Sequence, residues 1–264
     1  MASNAIKCEK NHSFDKAKSG YVNLLPVQFK KSKAPGDDKA MVKARREFHQ
    51  LNAYKPLKDK LVELLLSALN NDEKSNIPLK VYDAGCGEGS YLDAILSGLE
   101  DNGLTCSGAG SDISKIAVEL ASKAYKKSQF VVASSYELPL ADNTQDVVMQ
   151  VFAPGSTEEY RRVLKTQGVL ITVDPAQEHL FEVKARVYDN PKKHEMRDDI
   201  RDGFVRSGSE RLSFDIALPT LEQRLALIKM TPFYWKLPEG RINEIVASLD
   251  AVSADFYIQV WRKV

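Results

Sequence analysis

The stretch Leu79-Lys80-Val81-Tyr82-Asp83-Ala84-Gly85-Cys86-Gly87-Glu88-Gly89 decides the fold. Its opening residues read as a short strand, its end places glycine at every second position, and a helix is expected to start near Ser90. Glycine lets the chain turn sharply and lets a ligand approach the main chain. Working downstream, short apolar runs stand at residues 106–110, 130–132, 147–152 and 169–173. Each is followed by helix or turn, as at 114–126 and 157–164. Strand and helix in alternation require crossover connections, hence a parallel sheet covered on both faces. The last segment, 254–261, alternates with period two and has no helix after it, so it is expected to close the sheet as an antiparallel strand. Upstream, Met41, Ala44, Arg45 and Phe48 recur at helical spacing, with Asp37 or Asp38 placed to cap that helix. A second helix is expected from near Pro56, with Leu57, Leu61, Leu64, Leu65 and Leu69 along one side. A polar, turn-rich break at 30–38 precedes both. The expected class is α/β, doubly wound.

The details of the glycine turn separate possible ligands. A dinucleotide fingerprint spaces its last two glycines by two residues and seats a pyrophosphate on the helix N-terminus. Gly85, Gly87 and Gly89 depart from that spacing, and Asp83 stands two residues before the first of them. A carboxylate there repels a pyrophosphate but favours a cation, such as the ammonium or sulfonium of S-adenosylmethionine. Asp112 follows Asp83 by 29 residues, at the end of the next strand, where a carboxylate accepts bonds from two ribose hydroxyls. Ser134 and Ser135, after the third strand, suit contacts to an adenine edge. These strand ends share one crevice. Together they point to S-adenosyl-L-methionine as cofactor and to methyl transfer.

Composition narrows the class of partner. With 264 residues, 43% of them hydrophobic and 28% charged, the chain makes one large domain or one domain plus an appendage. Disordered, collagenous and disulfide-scaffold classes are excluded. No apolar run approaches the roughly 20 residues of a membrane span, and the first residues lack the apolar stretch of a secretory leader. Cys8, Cys86 and Cys106 are odd in number and scattered, which suits a reducing, cytoplasmic setting. The net charge of +1 conceals an asymmetry: residues 1–60 hold fourteen Lys and Arg against six Asp and Glu, and the remainder is acidic. A basic leading segment on an acidic body suggests that the two parts meet different partners, with a solvated, lysine-rich surface as the alternative.

Several motifs carry a resemblance. Gly20-Tyr21-Val22-Asn23-Leu24-Leu25-Pro26, Pro35-Gly36-Asp37, Ala44-Arg45-Arg46-Glu47-Phe48 and Tyr54-Lys55-Pro56-Leu57 resemble segments of the bacterial 23S rRNA guanine-N(1)-methyltransferases. So do Asp83 to Gly89, Ser111-Asp112-Ile113-Ser114, Phe152-Ala153-Pro154, His179-Leu180 with Tyr188 nine residues on, and Met230-Thr231-Pro232-Phe233. The resemblance covers almost the whole chain. It implies a seven-stranded, mostly parallel, Rossmann-like methyltransferase sheet over residues 36–264, and a basic RNA-contacting segment over 1–35. It also implies methylation of a guanine ring nitrogen in a 23S rRNA hairpin, a homodimer, and cofactor contacts at Tyr54, Gly87, Glu88 and His179. The family begins with a zinc module; Cys8 and His12 match its second half, but no CxxC stands before them here. A closed zinc site takes four ligands, so no bound metal is expected and the first 35 residues are read as a remnant. Lys16, Lys18, Lys30, Lys31, Lys33, Arg45 and Arg46 remain for phosphate contacts.

Guanine N1 carries a proton and lies on the Watson–Crick edge, so the target must be unpaired or flipped out. Tyr21, Phe152, Phe233 and Tyr234 are candidate platforms for the splayed base, and the backbone of Phe152-Ala153-Pro154-Gly155 is a candidate receiver of its edge. The catalytic base is unassigned: His179 reads as either a cofactor contact or a base, Asp174 is a rival, and solvent is a third acceptor. His49 and His194 read as surface residues. Alternative functions are a small-molecule methyltransferase, a non-catalytic rRNA-binding protein that retains the cofactor pocket, and a nicotinamide oxidoreductase, which the glycine spacing disfavours.

Overall fold

The computed structural model describes residues 5–8, 11–25, 36–69, 77–195 and 200–264. Pro26, Lys30, Lys31, Lys33 and Pro35 of the sequence motifs lie outside the described residues. A small antiparallel hairpin, β1 (Ala5–Lys7) and β2 (Ser13–Asp15), opens the fold. After β3 (Val22–Asn23) come helices α1 (Lys39–Gln50) and α2 (Lys55–Ala68). The alternating unit then runs β4 (Leu79–Ala84), α3 (Ser90–Asp101), β5 (Cys106–Asp112), α4 (Lys115–Ala124), β6 (Gln129–Val132), β7 (Gln145–Val151), α5 (Thr157–Val163), β8 (Leu164–Pro175) and α6 (Phe181–Val187). It finishes with β9 (Phe204–Ala217), α7 (Leu221–Lys229), α8 (Glu239–Ser248) and β10 (Ala251–Lys263).

Among the described residues the main sheet has eight strands in the order β3-β6-β5-β4-β7-β8-β10-β9. Strands β3 to β8 pair in parallel, and β10 runs antiparallel to both β8 and β9. Seven strands become eight because β3 attaches to β6, with the Leu24 amide donating to the Val132 carbonyl at 2.9 Å. Two residues carry no readable period. Their flanks, Tyr21 and Leu25, are buried in the main core, so the segment assigned to residues 1–35 contributes a piece of the main domain. The last strand does not close the sheet: β10 is inserted between β8 and β9, and β9 forms the edge.

The strand sequences account for the layering. Alternate residues of a strand face opposite sides. Val81, Val147, Met149, Val169 and Ile171 therefore join one core cluster, and Tyr82, Ala84, Val148 and Leu170 the other. Helix α2 lays Leu57, Leu61 and Leu65, all at 0% exposure, against the first of these faces. Helix α1 is capped by Asp38, whose Oδ1 accepts from the amides of Ala40 and Met41 at 2.7 and 3.0 Å.

The order places a switch point beside β4. The chain moves one way through β5 and β6, then returns to lay β7 on the other side of β4. In such sheets a ligand crevice opens outside the carboxyl ends of the strands at this point.

Candidate functional site

A cavity of about 850 Å³ lies at that crevice. One wall is the glycine turn, Gly85 to Glu88, with Ser111 to Ile113 after β5 and Ala133 to Tyr136 after β6. The opposite wall is Val151 to Pro154 after β7, with Asp174, Pro175 and His179 after β8. Arg45, His49 and Tyr54 close it from α1 and the start of α2, and Met230 to Phe233 from the end of α7. The volume is in the range of sites that enclose a cofactor-sized molecule.

The turn is shaped by its neighbours. Gly85 has φ +93°, and a Cβ on it would stand 2.3 Å from Ala153 Cβ, so the loops after β4 and β7 pack directly upon each other. At Gly87 the space stays open: a Cβ there would meet nothing nearer than Arg45 Nη1 at 3.9 Å. The Gly87 amide donates to Asp112 Oδ2 at 2.9 Å, and the Ser114 amide donates to Asp112 Oδ1 at 2.7 Å. Each carboxylate oxygen keeps a further lone pair for a ligand. Burial pushes the Asp112 carboxyl upward against these two amides, which favour its charged form.

Of the nine residues singled out from the sequence, Tyr54, Gly85, Gly87, Glu88, Asp112, Ser134, Ser135 and His179 all line this one cavity. Asp83 does not. It lies behind the glycine turn at 1% exposure, and its Oδ1 has no hydrogen-bond partner among the described residues. Burial, with the charge of Asp112 beside it, raises the Asp83 carboxyl to about 8. The adenine-side serines are tethered: Ser135 Oγ donates to the Pro154 carbonyl at 2.6 Å, and Ser134 Oγ accepts from the Tyr136 amide at 3.1 Å.

Two histidines read as surface residues are part of the site. His49 is buried, with Nδ1 3.1 Å from Glu88 Oε1 and also against Ser90 Oγ. Burial lowers the His49 pKa. Burial alone would raise Glu88, but the bonds from His49 and Ser90 and the charge of Lys58 hold its carboxyl below the usual value. The pair is therefore a neutral imidazole donating to a carboxylate, which fixes α1 over the glycine turn. The charged sequence around His49 gave no sign of this, because its partner lies 39 residues away. His194 is half-buried in the cavity wall, its ring 6.3 Å from that of His179.

The aromatic candidates divide. Tyr21 belongs to the core, and Tyr234 packs on the core and against Trp235 without entering the wall. Phe152 and Phe233 both line the cavity. Phe152 is 39% exposed, adopts φ +54°, and lies nearly parallel to His179, centroids 6.1 Å apart at 15°. A bulky residue in the left-handed region is uncommon and marks a backbone held by its surroundings. Its amide donates to the Val173 carbonyl at 3.0 Å. Two carbonyls of the segment already hold donors, Ala153 from Gln150 Nε2 at 2.5 Å and Pro154 from Ser135, which leaves each a single free lone pair for a base edge.

His179 Nδ1 faces the Asp255 amide at 3.4 Å, which makes Nδ1 the acceptor and leaves the ring proton on Nε2. Burial, with His194 nearby, lowers the His179 pKa to about 3. Such a ring is a poor proton acceptor and its Nδ1 is already occupied, which speaks against the base reading.

Cys8 Sγ and His12 Nδ1 meet at 3.5 Å on the exposed β1–β2 hairpin. That separation suits two corners of a zinc tetrahedron, but two donors do not complete one. Among the described residues no group of three or more His, Cys, Asp or Glu side chains is placed to hold a metal ion. Among them, too, no helix is long and apolar enough to cross a membrane.

Residues 1–33 match the zinc-ribbon family described as "RlmA, N-terminal", and residues 82–172 match the family described as "Methyltransferase domain". Among solved structures, the YcgJ protein of Bacillus subtilis superimposes with a TM-score of 0.50 at 15% identity, over 76% of this chain and 97% of that one. That likeness is one of fold. Among curated relatives, the chain is 31% identical over 253 residues to the 23S rRNA (guanine(748)-N(1))-methyltransferase of Streptomyces fradiae, covering 94% of this chain and 86% of that one. It is 32% identical over 263 residues to YxjB of Bacillus subtilis (strain 168), whose name places it with the 23S rRNA (guanine-N(1)-)-methyltransferases; 97% of this chain and 88% of that one are covered. Sheet order, glycine turn and near full-length similarity converge, and the chain belongs to the 23S rRNA (guanine-N(1)-)-methyltransferase family.

Proposed function

We propose that the protein transfers a methyl group from S-adenosylmethionine to N1 of an unpaired guanine in a hairpin of 23S rRNA. The observation that carries this reading is one continuous cavity, which joins the ends of β4, β5 and β6 to the ends of β7 and β8. Cofactor and acceptor can therefore meet in one enclosure. The cofactor fits the residues present: the open space over Gly87 admits a ligand against the main chain, and Asp112 keeps acceptor capacity for a ribose diol. Tyr54, Glu88, Ser134 and Ser135 complete the cofactor half.

S-adenosylmethionine, when bound, supplies a methyl group on a sulfonium centre. The chain's own residues align and enclose. Phe152 offers an apolar face for the splayed base, and the carbonyls of Ala153 and Pro154 flank its edge. His179 contributes a neutral N–H. Because methyl transfer is an in-line displacement, holding the acceptor nitrogen in register is most of what the protein must do. Lys16, Lys18 and Arg46 are exposed or half-buried cations suited to the hairpin phosphates. The family resemblance adds a homodimer in the cytoplasm to this reading, and sedimentation equilibrium tests the dimer.

The deciding experiment combines purified protein, S-adenosylmethionine and protein-free 23S rRNA lacking the modification, then maps reverse-transcriptase stops. A methyl on N1 blocks Watson–Crick pairing, so a cofactor-dependent stop at one guanine is expected. Cofactor binding without any stop overturns the RNA assignment and turns attention to small-molecule acceptors.

A further inference from the structure

Asp255, on the last strand, is fully buried and lies outside every motif of the sequence reading. Five hydrogen bonds radiate from it. Arg211 Nε donates to Oδ1 at 2.8 Å and Arg211 Nη2 to Oδ2 at 2.7 Å, a two-pronged ion pair across β9 and β10. The Glu178 amide donates to the same Oδ2 at 2.8 Å. The Asp255 carbonyl accepts from the Ala176 amide at 2.8 Å, and the Asp255 amide faces His179 Nδ1 at 3.4 Å. The turn is closed on itself by the His179 amide, which donates to the Ala176 carbonyl at 3.1 Å. One residue of β10 thus grips three of the four residues in the turn after β8.

We propose that Asp255 is a positioning residue that holds His179 in the cavity wall as a neutral ring, with Nε2–H donating to O6 of the acceptor guanine. The proposal rests on the methyl-transfer reading above. The orientation of the ring is fixed from several sides: Phe256 lies 4.8 Å from it, Phe152 runs nearly parallel to it, and the Asp255 amide occupies the Nδ1 edge. An imidazolium would set an Nδ1–H against that amide, so the same contact that orients the ring keeps it neutral.

The chemistry calls for such a donor. As the nitrogen–carbon bond forms at N1, the methyl–sulfur bond breaks with its electron pair leaving on sulfur, and the N1 proton passes to water. Charge released by that proton spreads onto the neighbouring carbonyl oxygen, O6. A donor aimed at that oxygen beforehand stabilises the transition state more than the ground state. The position of His179 supports this assignment, since it stands after β8 beside Phe152, across the cavity from the glycine turn.

Two measurements test it. Nitrogen NMR of the full-length, histidine-labelled protein should show His179 as the neutral Nε2–H form between pH 6 and 8; an Nδ1–H form or an imidazolium overturns the proposal without any reference to substrate. In single-turnover assays on rRNA, His179→Phe and Asp255→Asn should each lower the methylation rate about 100-fold, with the KM for S-adenosylmethionine little changed. The double variant should be no slower than His179→Phe alone, because Asp255 acts only through the donor that His179→Phe removes. Losses that multiply, or a KM that rises as far as the rate falls, overturn it. Should Asp255→Asn fail to fold, Arg211→Gln, which loosens the same carboxylate from the surface side, is expected to give a smaller loss of rate with the same unchanged KM. A wild-type protein that leaves rRNA unmethylated sinks the methyl-transfer reading instead, while the NMR result still decides how His179 is held.

Discussion

Asp83 is a carboxyl group placed where its charge is costly. It is buried behind the glycine turn with one oxygen unpaired among the described residues, and its carboxyl is raised to about 8. In the unfolded chain the same group ionises near pH 4. Between those values the folded protein holds a proton that the unfolded chain releases, so this residue makes stability fall as pH rises from about 4 to about 8. Above that range the penalty is constant. Asp83→Asn removes it, and its melting temperature should exceed that of wild type by a margin that widens from pH 5 to pH 8; a margin independent of pH would refute the assignment. Asp112 behaves differently because two backbone amides hold it. Asp112→Ala removes the acceptor proposed for the ribose and releases the Gly87 amide. A hydrogen bond to a charged group contributes about 1.5–3 kcal/mol, so calorimetry should show S-adenosylmethionine binding weakened by roughly tenfold or more. Both aspartates were legible from spacing alone, yet only Asp112 lines the cavity, since spacing gives a strand end and not the depth of a side chain.

At the scale of elements, the site depends on how two loops meet. Gly85 after β4 and Ala153 after β7 are in contact, and any side chain at Gly85 strikes Ala153 Cβ while also straining a φ of +93°. Gly85→Ala should therefore lower stability by about 1–3 kcal/mol and weaken cofactor binding by displacing the turn. Adding Ala153→Gly should recover part of the loss, because it relieves the overlap but not the backbone strain; denaturant titration of the three variants checks this. The elements that build this junction were readable, since a parallel strand buried on both faces makes a short apolar run. Observed β4, β5, β6 and β8 contain the predicted runs and extend them by one to several residues, whereas β7 stops at Val151, one residue short of its run. Strand β9 was missed although Leu212, Phe214 and Ile216 alternate within it. Its flanks are polar and charged because it forms the sheet edge, and an exposed edge dilutes the apolar signal. His49, His194 and Asp255 were illegible for another reason: each acquires its role from a partner distant in sequence.

Over the whole molecule, charge and fold are arranged around the cavity's two tasks. The acidic body supplies the strand ends that line the cavity, while the basic first 60 residues include the β1–β2 hairpin, the edge strand β3 and α1, whose Arg45 and His49 reach the same cavity. Because β3 is hydrogen-bonded to β6 and Tyr21 and Leu25 are buried in the core, the hairpin is joined to the sheet by an anchored segment. Phosphate contacts made from it thus bear on where a hairpin loop lies relative to the site. Lys16 and Lys18 are exposed on this segment, two residues apart and ahead of the anchor. Each phosphate contact contributes about 0.7–0.9 to the slope of log K against log salt. Lys16→Gln with Lys18→Gln should flatten that slope by about 1.4–1.8 and weaken rRNA binding most at low salt. Affinity for S-adenosylmethionine should be unchanged, since neither lysine lines the cavity. Filter binding over a range of potassium chloride concentrations reads the first effect and calorimetry the second. An unaltered slope would place the RNA elsewhere on the surface, and a loss of cofactor affinity would mean that the hairpin supports the site rather than the substrate.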